Sequence, residues 1–376
     1  MEAPPLGGTC RGGFEGVCTI GCWSYKVLFT VSVKALINLY ESLVRSQLEY
    51  GSEVWGKDKW MVGEKLQLNM GKKILRCTLH TSNEAIYGDL GWWSLEARRN
   101  YKKLVYWYHL ETLENNRITK RVYLLSKNNN KSTGWADTIH KILSLYGLQR
   151  LYDNPRNLYN LDGKHNNEAK SITDHCKFWK RYLKKIVGYY EEKLWLGKMS
   201  HKKNGKLRNY VVFKKNLRLE KYLLGSSDYS LGRMYHTTLR NGTNILEIEK
   251  GRWKHIPLDQ RYCNQCDCKL VESEKHFLLD CSKYATFRNH FFDSVMNISK
   301  GKWNFRTRNA DEVLILLLQG TGDDYEMKIF NSFHKFLEKC FKIRTQIVSD
   351  WTIISLFLRK RGREERGGGV AHVRIC

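Results

Sequence analysis

The stretch Cys263–Asn264–Gln265–Cys266, followed by His276 and Cys281, decides the fold of one part of this chain. It has the form C-x2-C-x9-H-x4-C. Two thiolates two residues apart can bind one ion from a tight turn, and a His with a third Cys completes a tetrahedron. Zn²⁺ occupies closed Cys₃His sets of this kind in structural sites, where no position remains for water or substrate. The spacing therefore predicts a structural Zn²⁺ site held by these four residues.

Other residues compete for the same ion. Cys268 lies within reach of Cys266, but one intervening residue places two thiols on opposite sides of an extended backbone. His290 belongs to an aromatic-rich segment after Cys281 whose pattern predicts a helix, where a lone His is more often a packed core residue. A cluster of free buried thiols is the alternative to a metal site.

The composition indicates an anionic partner. Among the 376 residues, 64 are Lys or Arg and 38 are Asp or Glu, so the formal net charge is +26. Such a field attracts nucleic acid whatever the fold. The chain also has 21 Tyr, 14 Phe and 12 Trp, and base stacking requires aromatic faces beside positive charge. RNA or DNA is the expected partner, and no small-molecule substrate is predicted. A basic protein with an aromatic-rich core is the alternative.

The periodicity predicts a mainly α fold. With only 4 prolines, long helices are permitted, and apolar residues recur at helical spacing in several segments. Strand-like alternation is scarce. The helices expected from this pattern lie at residues 33–48, 66–75, 94–113, 169–195, 283–292, 310–319 and 328–357.

Two basic segments are candidate phosphate-binding surfaces. The first segment, residues 177–185, would form a helix whose cations lie opposite Trp179, Tyr182, Leu183 and Ile186. The second segment, residues 202–206, is a basic loop, and the cations of both segments could bind phosphates. A solvated helix face without a partner is the alternative. The candidate nucleic-acid-binding residues are Lys177, Lys180, Arg181, Lys184 and Lys185 in the first segment, and Lys202, Lys203 and Lys206 in the second.

Asp323 and Asp324 form a pair of the kind with which polymerases hold two Mg²⁺ ions. Here the pair lies between two helical patterns, where Gly and Asp commonly form a helix terminus with an N-cap. We interpret the pair as structural. No complete catalytic set is apparent elsewhere in the sequence, so this chain by itself is not expected to be an enzyme.

The number and spacing of the cysteines, together with the hydropathy of the chain, indicate its cellular location. The 11 cysteines do not form the dense, even framework of a small secreted domain. No apolar run is long enough to span a bilayer, and the first residues do not resemble a secretory signal. The expected location is intracellular, in the nucleus or cytoplasm, with no membrane partner.

A longer pattern surrounds the metal motif. Arg261–Cys266, then Val271-Glu272-Ser273-Glu274-Lys275-His276-Phe277-Leu278 leading to Cys281, with Tyr284 and Arg288, resembles a segment near the C-terminus of reverse transcriptases from non-LTR (LINE-type) retrotransposons. Two upstream segments continue the resemblance in the order of that family. They are residues 40–56, which are similar to the region just after the polymerase palm, and residues 66–91.

The resemblance implies the accessory half of such an enzyme, without fingers, palm or endonuclease. In the family, these parts bind template RNA and target DNA. The implied organisation is an unrelated, disordered segment (1–32), a thumb-like helical region (33–127), a basic helical connection (128–245), a zinc-knuckle module (246–300), C-terminal helices (301–358) and a disordered basic tail (359–376).

The implied function is therefore a truncated reverse transcriptase remnant that retains zinc-dependent, largely nonspecific binding of RNA or DNA. Three rivals remain open. One is an active polymerase that uses Asp323 and Asp324. The second is a host-adapted zinc-binding module for protein interaction, and the third is a relic reading frame that is not expressed.

Overall fold

Helices account for most of the computed structural model, which describes residues 30–55, 60–128, 134–155, 172–201 and 205–344. Pairing of the sheet type in this part of the chain consists of two isolated antiparallel bridges, Leu90 with Leu219 and Tyr262 with Val271. The prediction of a mainly α fold is confirmed. The expected disordered ends lie largely or wholly outside the described residues, as do Lys202 and Lys203.

Twelve principal helices follow one another along the described part of the chain. The first six are α1 (Val33–Leu39), α2 (Met61–Ile74), α3 (Asn83–Leu90), α4 (Leu95–Thr112), α5 (Ile118–Asn128) and α6 (Trp135–Leu145). The next six are α7 (Ile172–Ser200), α8 (Ser230–Arg240), α9 (Glu247–Trp253), α10 (Ala285–Ile298), α11 (Ala310–Gln319) and α12 (Glu326–Arg344). The chain continues from α1 through a π-helical segment, Tyr40–Arg45, to a last turn at Ser46–Leu48.

Polar caps set several of these boundaries. The side chains of Ser32, Ser94 and Asn309 accept hydrogen bonds from the backbone amides at the starts of α1, α4 and α11, at 3.2, 3.1 and 2.8 Å. Each cap satisfies an amide that has no partner within its helix. At the other end of α3, Gly91 has a φ of +62°, and an added Cβ would collide with the backbone of Leu219. Glycine is required there by both the conformation and the close approach.

Three clusters of buried side chains form the core. The first joins α1, α2 and α3 around Leu36, Tyr40 and Ile74. The second joins α4 to α7, where Trp179 of α7 donates a hydrogen bond to the Leu104 carbonyl at 2.9 Å. The third joins α8 to α12 with residues 263–284, so the predicted zinc-knuckle module shares its core with the C-terminal helices. The six-part division of the chain remains a prediction.

Within the described residues, helical structure occupies each of the expected segments, with the predicted ends at residues 33–48 and 310–319 and shifted ends elsewhere. The helix expected over residues 169–195 is described from Ile172 and continues to Ser200, because Trp195 and Met199 are buried in the third cluster. The helix expected over residues 328–357 is described as α12, and residues 345–357 lie outside the described part. Five further principal helices of the described part, α3, α5, α6, α8 and α9, were not among the expected ones.

A buried charge network joins α3 to α8. The Arg240 guanidinium donates to the Asp89 carboxylate and to Glu220, each at 2.9 Å, and the side chains of Arg240 and Asp89 are fully buried. Tyr210 and Tyr222 donate to the two oxygens of Asp89 at 2.8 and 2.7 Å. The network therefore satisfies both Asp89 oxygens and connects the first cluster with the third.

Two buried histidines lie between α8 and α12. His236 Nε2 is 3.2 Å from the Leu318 carbonyl, and His236 Nδ1 is 3.1 Å from His334 Nε2. A carbonyl oxygen only accepts, so His236 donates from Nε2 to Leu318. Its Nδ1 then accepts from His334 Nε2, and this arrangement corresponds to two neutral rings. Burial lowers the pKa of His334 to about 3, with nearby Arg233 contributing. Burial likewise lowers the pKa of His236, and His334 and Arg240 lower it further.

Acidification is therefore expected to destabilise the fold. Both histidines ionise more readily in the unfolded chain, so the unfolded state binds more protons below about pH 6.5, in a window that for His334 extends to about pH 3. Stability is then fully present above pH 6.5 and falls by about 1.4 kcal/mol per pH unit for each histidine below it. Urea unfolding at pH 7.5, 6.5 and 5.5 measures this slope. His334→Gln should make it shallower, whereas His290→Gln, at an exposed site, should leave it unchanged. Equal slopes in wild type and His334→Gln would contradict the assignment.

Candidate metal centre

The first two cysteines lie in a tight hairpin. Its arms pair through the bridge of Tyr262 with Val271, and the Cys263 amide donates to the Leu270 carbonyl at 2.8 Å. Lys269, with a φ of +50°, helps the chain to reverse. The hairpin places Cys263 in a buried position and leaves Cys266 partly exposed near the turn.

His276 and Cys281 come from the next turn of the chain. A π-helical segment, His276–Asp280, ends at Cys281, whose amide donates to the His276 carbonyl at 2.8 Å. The Arg288 guanidinium of α10 then donates to the carbonyls of Leu278 and Cys281 at 2.8 and 2.7 Å. These bonds fix the turn on α10, so both side chains point toward the hairpin cysteines.

The four predicted ligands converge. One candidate ligand atom from each of Cys263, Cys266, His276 and Cys281 lies within 4.8 Å of all the others. The Sγ atoms of Cys263 and Cys281 are 4.0 Å apart, and Cys266 Sγ is 3.4 Å from His276 Nε2. Zn–S bonds of about 2.3 Å in a tetrahedron separate neighbouring sulfurs by about 3.8 Å. The donor set and its spacing thus fit a tetrahedral Zn²⁺ ion.

The thiols differ in their electrostatic surroundings. Burial raises the pKa of Cys263 and Cys281, and for Cys263 the nearby Glu272 carboxylate raises it further. Burial also opposes ionisation of Cys266, but the Cys268 amide and neighbouring thiols outweigh it and lower the pKa of Cys266. A divalent cation bound here would displace the thiol protons, because metal ligands are thiolates.

Glu272 supports the hairpin from behind. It is fully buried, and its carboxylate lies 3.5 Å from Cys263 Sγ. Arg344, the last residue of α12, donates to both Glu272 oxygens, at 2.5 and 2.7 Å. The Glu247 amide at the start of α9 also donates to Glu272, at 2.7 Å. The Arg344–Glu272 ion pair neutralises a charge that would otherwise repel a thiolate. Together with the Glu247 amide, it connects the hairpin to α12 and α9.

Glu274 anchors the segment between the hairpin and His276. Its buried carboxylate accepts two hydrogen bonds from Arg208, at 2.6 and 2.7 Å, and one each from Asn209 and Asn244 at 3.1 and 3.0 Å. The roles of Glu272, Glu274, Arg208 and Arg344 were not predicted from the sequence. The two glutamates on either side of Ser273, just before the ligand His276, are the sequence signal that could have indicated these roles.

The rival ligands lie outside the group. Cys268 is exposed, and the convergent set contains Cys281 in its place. His290 is exposed, so it does not join the ligand group. It also does not pack in the core, which is the position expected for it from the sequence. The side chains beneath the centre are Phe277 and Tyr284, whose rings are 5.0 Å apart, and Phe341, 5.1 Å from Phe277. His276 Nδ1 is buried and makes no hydrogen bond.

The basic candidates on α7 lie on one exposed face. Lys177, Lys180, Arg181, Lys184 and Lys185 are all exposed, whereas Trp179, Leu183 and Val187 are buried against α4 and its neighbours. The helix thus separates a cationic face from its packing face, as predicted. Lys206, the one candidate of the second basic segment that the structure describes, is partly buried and lies near Trp253 of α9.

Asp323 is engaged in structural contacts. Lys302 and Trp303 both donate to one carboxylate oxygen at 2.8 Å, while Thr321 and the Tyr325 amide donate to the other. The Glu326 amide donates to the Asp323 carbonyl at the start of α12. Burial raises the pKa of Asp323, but these hydrogen bonds and the charge of Lys302 together outweigh it and lower the pKa. They favour the structural interpretation of the Asp323–Asp324 pair.

Comparison of the chain with protein-family models, with curated proteins and with solved structures finds no match. Within the described residues, no helix is both long enough and apolar enough to cross a membrane.

Proposed function

We propose that this chain is a zinc-built module that binds RNA or DNA mainly through the phosphate backbone. Zn²⁺ would be held by Cys263, Cys266, His276 and Cys281 and would have a structural role, because four protein ligands leave no open position. The observation that carries the binding proposal is the exposed basic face of α7, which lies opposite a buried aromatic face.

The charge distribution supports this function. The formal net charge of +26 attracts a polyanion at long range. Five cations spaced along about three turns of α7 would then contact successive phosphates, which requires no sequence-specific group. The zinc ion would contribute by joining the hairpin to the His276–Cys281 turn, which Arg288 fixes on α10.

The proposed origin follows the sequence resemblance. In a reverse transcriptase of the non-LTR class, this part would hold template RNA and target DNA for a polymerase centre outside these residues. The contacts of Asp323 support a binding role rather than a catalytic one for this part, since both of its carboxylate oxygens are already engaged.

Neutralising two lysines on α7 is expected to weaken binding and flatten its dependence on salt. Lys180→Gln with Lys184→Gln removes two exposed cations four residues apart. Each lost phosphate contact reduces the slope of log K against log salt by about 0.7 for single strands and about 0.9 for duplexes. Fluorescence anisotropy of a labelled oligonucleotide at several salt concentrations measures the slope.

The matched control is Lys335→Gln with Lys339→Gln, a pair with the same spacing on the exposed side of α12. This control should bind nearly as wild type does. A wild-type slope near zero would overturn the electrostatic proposal and favour the rival role as a protein-interaction module. Equal losses in the two double variants would show that net charge, and not the α7 face, determines binding.

A further inference from the structure

A second aromatic and basic surface lies beside the zinc-knuckle module, and the inference drawn from it rests on the proposed function. Trp253, the last residue of α9, has 51% of its surface exposed. A single exposed aromatic requires no explanation. What distinguishes Trp253 is its neighbours, which come from two distant parts of the chain.

The indole ring is held in position from the side. The His80 ring packs against it at an angle of 63°, with the ring centroids 6.4 Å apart. The Lys206 ammonium lies 5.9 Å from the indole centroid, within cation–π range, and donates to the His80 carbonyl at 3.4 Å. The indole is therefore positioned before any ligand arrives, while half of its surface stays accessible.

Besides Lys206, which lies near the ring, two cations are neighbours of Trp253 in the chain. Arg252 precedes it and Lys254 follows it, and Lys254 is exposed. Burial lowers the pKa of Lys206, and Arg252 is close enough to lower it further, whereas Glu249 acts in the opposite direction. Glu249 is itself buried and already shared between Arg208 and Arg252, at 2.7 and 3.3 Å. The cations at this surface thus outnumber the acidic groups that neutralise them.

We propose that Trp253 is a stacking platform for an unpaired base, with Lys206, Arg252 and Lys254 binding the flanking phosphates. The partner this surface fits is single-stranded RNA or DNA. An aromatic face accepts any exposed base, and neighbouring cations hold the backbone on either side of it. A duplex keeps its bases paired and stacked, so it cannot use the indole and would bind through the α7 face alone.

The test compares single and double strands. Zinc-loaded full-length chain is titrated by fluorescence anisotropy against labelled oligo(dT) and oligo(U) of about 15 nucleotides and against a duplex of the same length. Trp253→Ala should weaken single-strand binding by about 5- to 100-fold, in line with the loss of one stacked base, and leave duplex binding unchanged. Trp253→Phe keeps a stacking face and should restore most of the affinity.

Tyr50→Ala removes a more exposed aromatic, 82% accessible, and is the control that should change neither affinity. Lys206→Gln provides a second test and should flatten the salt dependence of single-strand binding by about 0.7. If Trp253→Ala bound single strands as tightly as wild type does, the proposal that Trp253 stacks on a base would be wrong. Equal losses on single strands and duplex in that variant would also overturn it. A wild-type chain that binds no nucleic acid would instead refute the proposed function itself.

Discussion

Cys281→Ser is expected to release the metal and unfold the zinc-knuckle module. Cys281 is fully buried, and its Sγ lies 4.0 Å from Cys263 Sγ at the centre of the ligand group. Structural Zn²⁺ sites contribute about 10–16 kcal/mol of apparent binding free energy in small zinc-dependent modules, so the loss of one ligand should cost several kcal/mol. The effect should spread to α12, because Phe277 beneath the site packs on Phe341.

Metal analysis of the purified chain, together with thermal unfolding, measures this effect. Wild type should carry about one Zn²⁺ per chain, and a strong chelator should lower its melting temperature. Cys268→Ser, an exposed thiol two residues after a ligand, is the matched control and should retain the metal. His276→Ala should behave as Cys281→Ser does. Full metal content in Cys281→Ser, or its loss in Cys268→Ser, would show that the ligand set is wrong.

Arg240→Met is expected to destabilise the fold by about 3–5 kcal/mol, because removal of one partner leaves a buried charge without compensation. Arg240 and Asp89 are both fully buried, and the guanidinium also binds Glu220. Methionine is close to arginine in length and fills most of its volume, so the cost is largely electrostatic. Asp89 would keep its two tyrosine donors but lose its counter-charge.

Urea denaturation at pH 7.5 measures the difference in unfolding free energy. The control is Lys141→Met, which breaks a pair with Asp137 on α6 whose lysine is 66% exposed. That pair should contribute only about 0.3–0.5 kcal/mol, since water screens it. Similar small costs in the two variants would mean that the Asp89–Arg240 network is solvated and does not join α3 to α8 as described.

The zinc ion and the nucleic-acid partner are separate proposals, and each has its own test. What the structure adds is a division of tasks. On these proposals the metal would organise a core, the α7 face would supply charge, and Trp253 with Lys206 would supply a stacking contact.

The sequence by itself determined the local features. Cys263 and Cys266 share one turn because of their spacing, and α7 separates its basic and aromatic faces because helical periodicity places residues three and four apart on one side. The mainly α fold follows from the same periodicity and the scarcity of proline. These features depend on residues that are near one another in the chain, so spacing is sufficient to predict them.

Only the tertiary structure decided which distant residues meet. Arg240 and Asp89 are 151 positions apart, and Arg344 and Glu272 are 72 apart. His80, Lys206 and Trp253 come from three separate segments. Such pairs form when helices pack, and the packing depends on the summed burial of many apolar side chains, which no short pattern records. A buried charge gives no sign of its partner in sequence, although it must have one in the fold.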